Sequence, residues 1–231
     1  MPESLEYQTD AQRKWLGRNY DRAVWFYEKS AKLYSGDQIA ASKRYQLNHI
    51  RPGDKTIFLG VGSGEDALMA AEHGADVTCV DISPGMLAAV EGKLKAKNLS
   101  ARLICKSAYD FSELDTFDVC CANYFLNVFK KPDMIRMLRH ATKLVRVGGK
   151  FMIADVALPQ GSTIQRAVNT AYRKFAMYSF WAMGLVPIHQ DYDYVSYLSD
   201  TEVDFEEVEY FRLFDNGPIV YQCIVGIRNP V

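Results

Sequence analysis

The chain has 231 residues, of which 48% are hydrophobic, and this length and composition allow one sizeable buried core. Its 27 basic and 28 acidic residues give a formal net charge of -1, which excludes a global positive field that would attract nucleic acid or anionic lipid. The amino terminus is polar and charged, and no later apolar run is long enough to cross a bilayer. We therefore expect a cytoplasmic protein with no nucleic-acid partner and no integral membrane segment.

The predicted elements begin with a helical stretch over residues 10–50, and strand-like and helix-like segments alternate from residue 56. The strand-like segments are rich in β-branched or aromatic residues and lie at 56–61, 76–81, 101–106, 117–125 and 149–156. Three helix-like segments lie between them. Ser83 is the predicted N-cap of the second, with Pro84 at its first position, and Gly148 and Gly149 are predicted to end the third. Such alternation is typical of helices covering both faces of a parallel sheet.

A second helical stretch, at 162–185, follows the fifth strand, and the segments 205–214 and 219–228 then predict an antiparallel hairpin around the turn DNGP. The helix places apolar side chains nearly all round its axis. They are Tyr172, Phe175, Met177, Tyr178, Phe180, Trp181 and Met183. A helix of this kind is usually buried core, and the alternative is that it lines a pocket for an aromatic or greasy substrate.

The most informative motif is IFLGVGSGED at residues 57–66, where an apolar strand leads into Gly60, Gly62 and Gly64. The next strand, DVTCVD, ends on Asp81. Glycines after a strand let the backbone turn tightly and approach a ligand, and an acid at the end of the next strand can accept hydrogen bonds from ribose hydroxyls. The pattern predicts a site for a ligand with an exposed ribose.

Three absences narrow the choice of nucleotide. A GxGxxG dinucleotide motif would need a glycine where Glu65 stands, and no tyrosine is followed by lysine at the Tyr-x-x-x-Lys spacing of short-chain dehydrogenases. Gly64 is followed by Glu65 and Asp66 instead of the Lys and Ser of a triphosphate-binding loop. A neutral or cationic nucleoside therefore fits the motif better than NAD or a triphosphate.

The thiols and imidazoles do not indicate a metal site. The five cysteines fall in apolar strand-like runs without a CxxC pair, and the four histidines are scattered. We expect five buried thiols and no metal.

Taken together, the motifs resemble class I S-adenosylmethionine-dependent methyltransferases across nearly all of residues 18–228. LGVGSG resembles the first motif of that family, VTCVDISPGML the second, SAYDF the adenine-flanking segment, and LVRVGGKFMIAD the segment after the catalytic strand. The upstream NYDRAVWFYEKSAKLYSG is further similar to the ubiquinone and menaquinone methyltransferase group. The resemblance implies S-adenosylmethionine as cofactor, S-adenosylhomocysteine as product and a small-molecule acceptor, and it leaves a homodimer open.

The resemblance also implies the architecture: an α/β, Rossmann-like, doubly wound sheet of seven mainly parallel strands in the order 3-2-1-4-5-7-6. We expect a single domain over residues 1–231. Its parts would be amino-terminal lid helices in 1–50, a cofactor-binding core in 51–156, lid or substrate helices in 157–190 and the antiparallel hairpin in 191–231.

The same resemblance assigns cofactor contacts. The backbone of the three motif glycines would face the cofactor, Asp81 would accept the ribose hydroxyls and Ile82 would pack on adenine. The remaining cofactor-binding positions are Tyr20, Met86, Ser107, Ala108, Tyr109 and Asn123. Asp81 has an alternative interpretation, because an acid before Ser83 and Pro84 can merely cap a helix.

One position departs from the family pattern. The family usually has an acidic residue two positions before the first motif glycine, where its carboxylate helps to hold the amino-acid end of the cofactor, and this chain has Phe58 there. Glu65, Asp66, Ser35 or Lys43 could substitute, or backbone groups alone could hold the cofactor.

Catalytic candidates come from two segments. Asn123 and Tyr124, with Asn127, follow the fourth strand at the edge where parallel sheets bind ligands, and they are expected to face the reacting centre. His189, after the second lid helix, is the expected general base, and the alternative is a surface or hydrogen-bonded structural histidine.

The sequence therefore predicts methyl transfer to a small acceptor, aromatic or quinone-like. Two other functions stay open. One is a cofactor-binding protein that has lost catalysis, for which Phe58 would be the mark, and the other is an enzyme that uses the same cofactor for different chemistry.

Overall fold

Seven strands form one sheet in the structure, a computed structural model that describes residues 36–182, 190–213 and 217–230. The strands are β1 (Lys55–Leu59), β2 (Asp76–Asp81), β3 (Arg102–Cys105), β4 (Phe117–Cys121), β5 (Val145–Val156), β6 (Val203–Arg212) and β7 (Ile219–Arg228). Their order is β3-β2-β1-β4-β5-β7-β6. Neighbouring strands among β1 to β5 pair in parallel, and β7 pairs antiparallel with both β5 and β6. The predicted fold class and strand order are confirmed.

The described helices are α1 (Gln38–Tyr45), α2 (Glu65–Glu72), α3 (Pro84–Ala96), α4 (Lys131–Thr142), α5 (Thr163–Ala182) and α6 (Tyr194–Leu198). Short 3-10 turns cover Gln46–His49, Ala108–Asp110 and Leu126–Val128. The start of α3 is as predicted, because the Ser83 hydroxyl accepts the backbone N–H of Met86 and Pro84 occupies the first turn.

The predicted end of the third helix was wrong. Helix α4 ends at Thr142, and Gly148 and Gly149 lie inside β5. Gly148 has a φ of +76°, and the pairing between β4 and β5 shifts register between Phe117 and Val119. A Cβ on Gly149 would lie 2.7 Å from the carbonyl oxygen of Asp118. These glycines therefore permit an irregular, close approach of two strands instead of a helix end.

The apolar core lies on both faces of the sheet, because successive side chains of a strand point to opposite faces. On β1, Ile57 and Leu59 pack with α4 and α6 on one face. Phe58 packs with α2 and α3 on the other face. All three side chains are at most 2% exposed. The sheet is therefore covered on both sides, and its carboxyl edge stays available for a site.

Two of the apolar side chains of helix α5 are not buried in the way that its composition suggests. Phe175 is 75% exposed and Tyr178 is 50% exposed, so the core interpretation is wrong for these residues. Two polar side chains of this helix contact the rest of the protein: Asn169 donates to the carbonyl of Ile219 and Arg173 donates to that of Ala157. The other apolar side chains expected on this helix, at positions 172, 177, 180, 181 and 183, lie outside the described residues.

Four of the five thiols are buried as expected, and Cys105 is exposed. Cys105 is the last residue of β3, which forms one edge of the sheet, so the side chain reaches the surface where the strand ends. Within the described ranges, no helix combines the length and the apolar character that a membrane span requires.

Candidate cofactor and acceptor site

The three motif glycines form a left-handed turn between β1 and α2, with φ values of +63° at Gly60, +53° at Gly62 and +72° at Gly64. A Cβ at Gly60 would lie 2.3 Å from the Phe125 ring, and one at Gly64 would lie 2.4 Å from a methyl of Val90. A Cβ at Gly62 would meet open space, with only the Gly60 carbonyl at 4.0 Å. Two of the glycines are therefore required for packing, and Gly62 borders the space that a ligand would fill.

Asp81 ends β2 beside this turn, and two backbone N–H groups orient its carboxylate. Ser83 donates to Oδ1 at 2.8 Å and Gly62 donates to Oδ2 at 3.2 Å. The N-cap of α3 is Ser83, not Asp81, which means that helix capping does not account for Asp81.

The residues predicted to surround adenine follow β2 and β3. Ile82 is 42% exposed directly after Asp81, which is unusual for isoleucine and leaves its side chain available to a flat ligand. Ala108 is buried in the 3-10 turn that Ser107 caps, and the Tyr109 hydroxyl donates to the carbonyl of Asp133 at 2.7 Å. Met86 is 5% exposed in the first turn of α3.

The turn, the carboxylate and the exposed isoleucine lie in sequence along one edge of the sheet. Asp81 pairs with Cys105 at the carboxyl ends of β2 and β3, and Gly60 donates its N–H to the carbonyl of Val80. An acid whose carboxylate is held by backbone amides next to a glycine-rich turn suits a sugar diol. The residues present therefore fit an adenosine group.

At the end of β4, the Asn123 amide is engaged by protein groups on all sides. Its nitrogen donates to Gln46 at 2.8 Å and to Asp66 at 2.9 Å, and its oxygen accepts from Gln46 at 2.7 Å and from the Ala154 N–H at 3.0 Å. This uses both amide hydrogens and both lone pairs. The arrangement favours a positioning role for Asn123 over direct contact with an acceptor.

Asp66, in the first turn of α2, is held in the same network. Its side chain is 5% exposed, and its Oδ2 lies 3.4 Å from the Lys43 ammonium of α1. Phe58 is 2% exposed among apolar residues, so the position of the usual motif acid is part of the core. A buried carboxylate therefore does exist near the glycine turn, on a helix instead of on β1.

Tyr124 turns the chain sharply after β4, with a φ of +49°. Its hydroxyl lies 3.0 Å from that of Ser42 on α1, and its ring packs edge-on against Tyr221. The next residue, Phe125, covers Gly60. Helix α1 and the chain after β4 thus enclose the carboxyl edge beside the glycine turn, which is where the sequence predicted the reacting centre.

A second polar cluster, not predicted from the sequence, lies at the end of β5. Asp155 is 1% exposed, and its carboxyl group accepts from Tyr194 at 2.6 Å and from Asn127 at 2.7 Å. Burial raises the pKa of Asp155 to about 6, although these hydrogen bonds act in the opposite direction. Burial and the nearby Asp155 raise the pKa of the Tyr194 hydroxyl. The available sequence signal was a lone acid in the apolar run FMIADV.

Two of the predicted site residues lie outside the described residues. These are Tyr20, assigned to the cofactor, and His189, assigned as general base. Their roles stay predictions.

Comparison with known proteins gives the same result as the motifs. A family model described as a methyltransferase domain matches residues 57–149. The demethylmenaquinone methyltransferase of Corynebacterium urealyticum is 26% identical over 187 residues, which cover 80% of this chain and 74% of that protein. The enzyme of the same name from Mycobacterium marinum is 29% identical over 133 residues, which cover 55% of this chain and about half, 51%, of that protein.

A solved structure of similar fold is the 1,6-didemethyltoxoflavin-N1-methyltransferase of Burkholderia thailandensis, with bound 1,6-didemethyltoxoflavin and S-adenosylhomocysteine. It superposes with a TM-score of 0.61 at 16% identity, covering 94% of this chain and 87% of that one. At this identity the likeness concerns the fold alone. In motif order, in sheet topology and in the family model over residues 57–149, the chain is similar to class I S-adenosylmethionine-dependent methyltransferases, and the two relatives above are of the menaquinone group.

Proposed function

We propose that this methyltransferase acts on a small, apolar acceptor with an aromatic or quinone-like ring. The observation that carries the proposal is the surface of α5. Its described apolar side chains at Ile164, Val168, Phe175 and Tyr178 are 50% to 77% exposed, and their spacing places them within one side of the helix. The helix is attached to the carboxyl edge of the sheet through Asn169 and Arg173. The exposed apolar side chains lie on the side of the helix away from these two attachments, and an apolar surface next to that edge favours an apolar substrate.

The chain after β4 adds aromatic side chains to this edge. Phe125 packs edge-on against Phe129, and Tyr124 packs against Tyr221. The two demethylmenaquinone methyltransferases are named for a quinone acceptor, which agrees with a flat ring. The formal net charge of -1 gives no support to a nucleic-acid acceptor.

In this proposal Asp81 accepts the ribose hydroxyls and Ile82 packs on the adenine, with Met86, Ser107, Ala108 and Tyr109 around it. Gly62 allows close approach of the backbone. When bound, S-adenosylmethionine supplies a methyl group that is attached to a positively charged sulfur, and the rest of the cofactor leaves as a neutral thioether.

The residues of the chain then have to align the acceptor and to remove its proton. Alignment of reacting groups is worth several kcal/mol, about 7 or more in well-oriented cases, so no covalent intermediate is needed. Tyr124 and Asn127 border the acceptor side in this proposal, and His189 takes the proton that the acceptor loses as its new bond to carbon forms.

The acceptor class is tested by incubating the protein with S-adenosylmethionine and a panel of phenols, demethylated naphthoquinones and aromatic nitrogen heterocycles. The expected result is S-adenosylhomocysteine together with one acceptor whose mass has increased by CH2, because a methyl group replaces a hydrogen. Tight cofactor binding without product from any of them would favour the cofactor-binding protein that has lost catalysis. Consumption of the cofactor with a product of another mass would favour different chemistry.

The ribose contact is tested by Asp81→Ala. We expect the affinity for S-adenosylhomocysteine, measured by calorimetry, to fall about 100-fold, because charge-assisted hydrogen bonds to two hydroxyls are lost. The melting temperature should fall only modestly, because the backbone N–H groups of Gly62 and Ser83 lose their acceptor. A lower melting temperature at unchanged affinity would show that Asp81 only supports the local fold.

The base is tested by His189→Ala, with turnover measured across pH. We expect a loss of activity that is largest above the pKa of a histidine, where the wild-type imidazole is neutral and can accept a proton. Unchanged turnover at every pH would remove His189 from the mechanism.

A further inference from the structure

The position of the missing motif acid is enclosed on both sides by cysteines. Phe58 pairs with Cys79 on β2 and with Cys121 on β4, and all three side chains are buried. None of these three residues, which lie side by side on adjacent strands, can therefore supply a carboxylate. Yet the cofactor of this family carries an amino-acid end with one ammonium and one carboxylate, and both charges need partners when they leave water.

Asp66 lies over the same row of the sheet. Burial is the main reason why the pKa of Cys79 is raised to about 12 and that of Cys121 is raised, and the negative charge of Asp66 adds to both shifts. The Asp66 carboxylate is thus close to the two residues that flank Phe58, on the face that α2 covers. Its orientation is fixed by the Asn123 amide at 2.9 Å.

Lys43 provides the opposite charge. Its ammonium is 3.4 Å from the Asp66 carboxylate, its side chain is 16% exposed, and it lies 5.8 Å from the centre of the Tyr124 ring. The pair joins α1 to the first turn of α2 directly beside the glycine turn. One anion and one cation, both mostly withdrawn from water, are complementary to a zwitterion.

The strand order shows in which direction the amino-acid end of the cofactor would lie. The adenine positions are at β3 and the end of β2, and Asp81 is at the end of β2. A ligand placed in this way can extend only across β1 toward β4, since β3 is the edge of the sheet. Asn123, Asp66 and Lys43 lie where that extension ends.

We infer that Asp66 and Lys43 receive the amino-acid end of S-adenosylmethionine, Asp66 binding its ammonium and Lys43 its carboxylate, in place of an acid at position 58. The inference rests on the proposed cofactor contacts of Asp81. Without ligand the two side chains neutralise each other, and with ligand each gains an opposite charge, so neither is left buried and unpaired. Asn123 is then a positioning residue that holds Asp66.

The test compares three ligands by calorimetry: S-adenosylhomocysteine, its decarboxylated analogue, which keeps the ammonium, and methylthioadenosine, which lacks the amino-acid end. Asp66→Asn should weaken the first two ligands about 10-fold or more. Lys43→Met should weaken S-adenosylhomocysteine by about the same factor and leave the decarboxylated analogue unchanged. Neither variant should alter the affinity for methylthioadenosine by more than about two-fold.

Glu65→Gln is the matched control, because Glu65 is the exposed acid next to Asp66 and should leave all three affinities unchanged. Thermal melts establish that each variant is folded, and Lys43→Met alone decides the question if Asp66→Asn does not fold. An equal loss for all three ligands, or a selective loss in Glu65→Gln, would overturn the inference. If the wild-type protein bound none of them, the proposed cofactor contacts would fail first, and this inference with them.

Discussion

At the scale of single residues, the three glycines of the motif have different tasks although the sequence presents them as equivalents. Gly60 and Gly64 make room for Phe125 and Val90, and Gly62 opens toward the ligand space. Asp66 and Phe58 show a similar difference between motif and structure, because the carboxylate near the turn is on α2 and not on β1.

Gly64→Ala and Gly62→Ala should therefore differ in what they damage. Each places a side chain at positive φ, which costs about 1–2 kcal/mol, and only Gly64→Ala adds an overlap with Val90, for about 1–3 kcal/mol more. Chemical denaturation should show the larger destabilisation for Gly64→Ala. Calorimetry should show weaker S-adenosylhomocysteine binding for a well-folded Gly62→Ala. Equal stability of the two variants would contradict the packing argument.

The raised pKa of Asp155 predicts that the stability of the protein depends on pH. Burial is the main reason why this pKa is raised from 3.8 to about 6, and the nearby Asp191, which is paired with Arg173, contributes in the same direction. The folded protein therefore holds this proton more tightly than the unfolded chain. The resulting stability is complete below the unfolded pKa and is lost as the pH rises through about 6.

Asp155→Asn, which stays neutral at every pH, should remove this dependence. The wild type should lose up to about 3 kcal/mol of unfolding free energy from acid pH to pH 7 because of Asp155, and the variant should not show this loss. Denaturation curves at several pH values provide the measurement, with the exposed Asp200→Asn as control. Parallel pH profiles for wild type and Asp155→Asn would show that Asp155 is not protonated more readily in the folded state.

At the scale of elements, helix starts were predicted better than helix ends and strand ends. Ser83 with Pro84 specifies the start of α3 by local hydrogen bonding and a fixed φ, which a sequence shows directly. The predicted strand 117–125 ends early, at Cys121, because the chain turns at Tyr124. Gly148 and Gly149, predicted to end a helix, belong to β5. Those features depend on neighbouring strands, which a local pattern does not contain.

Ser83→Ala tests the helix start. The buried hydroxyl accepts the Met86 N–H, so its removal should lower the unfolding free energy by about 1 kcal/mol, as for other N-caps. The measurement is a urea titration, with the exposed Ser100→Ala as the control that should change little. If both variants behaved alike, the cap would have no energetic role.

At the scale of the whole molecule, Arg228 at the end of β7 holds the amino edge of the sheet together. Its guanidinium, in a residue that is 8% exposed, bonds to Glu202 at 2.6 and 2.9 Å, to Asp115, and to the backbone carbonyls of Lys143 and Val145. The segments before β4, β5 and β6 thus meet at one side chain from the last strand.

Arg228→Met should lower the unfolding free energy by about 2–3 kcal/mol, because it leaves the buried Val145 carbonyl without its donor. The denaturation midpoint should fall without a change in slope, which indicates loss of stability in a cooperative unit. Arg212→Met, which removes an exposed bond to Gly217 in the same hairpin, should have little effect. A separate early transition in Arg228→Met would mean that the hairpin unfolds on its own.

By itself, the sequence determined the parallel sheet with its terminal hairpin, the glycine turn, the acid at the end of β2 and hence the nucleoside cofactor. Those features are written in short-range patterns: the period of apolar residues, the glycines that accept positive φ, and a cap next to a proline. Only the tertiary structure decided that Asp66 lies beside Lys43, that Asp155 is buried with Tyr194 and Asn127, and that the described apolar side chains of α5 are exposed. Each of these depends on residues far apart in the chain that meet at one edge of the sheet, where charge and burial are set by contacts that local patterns do not specify.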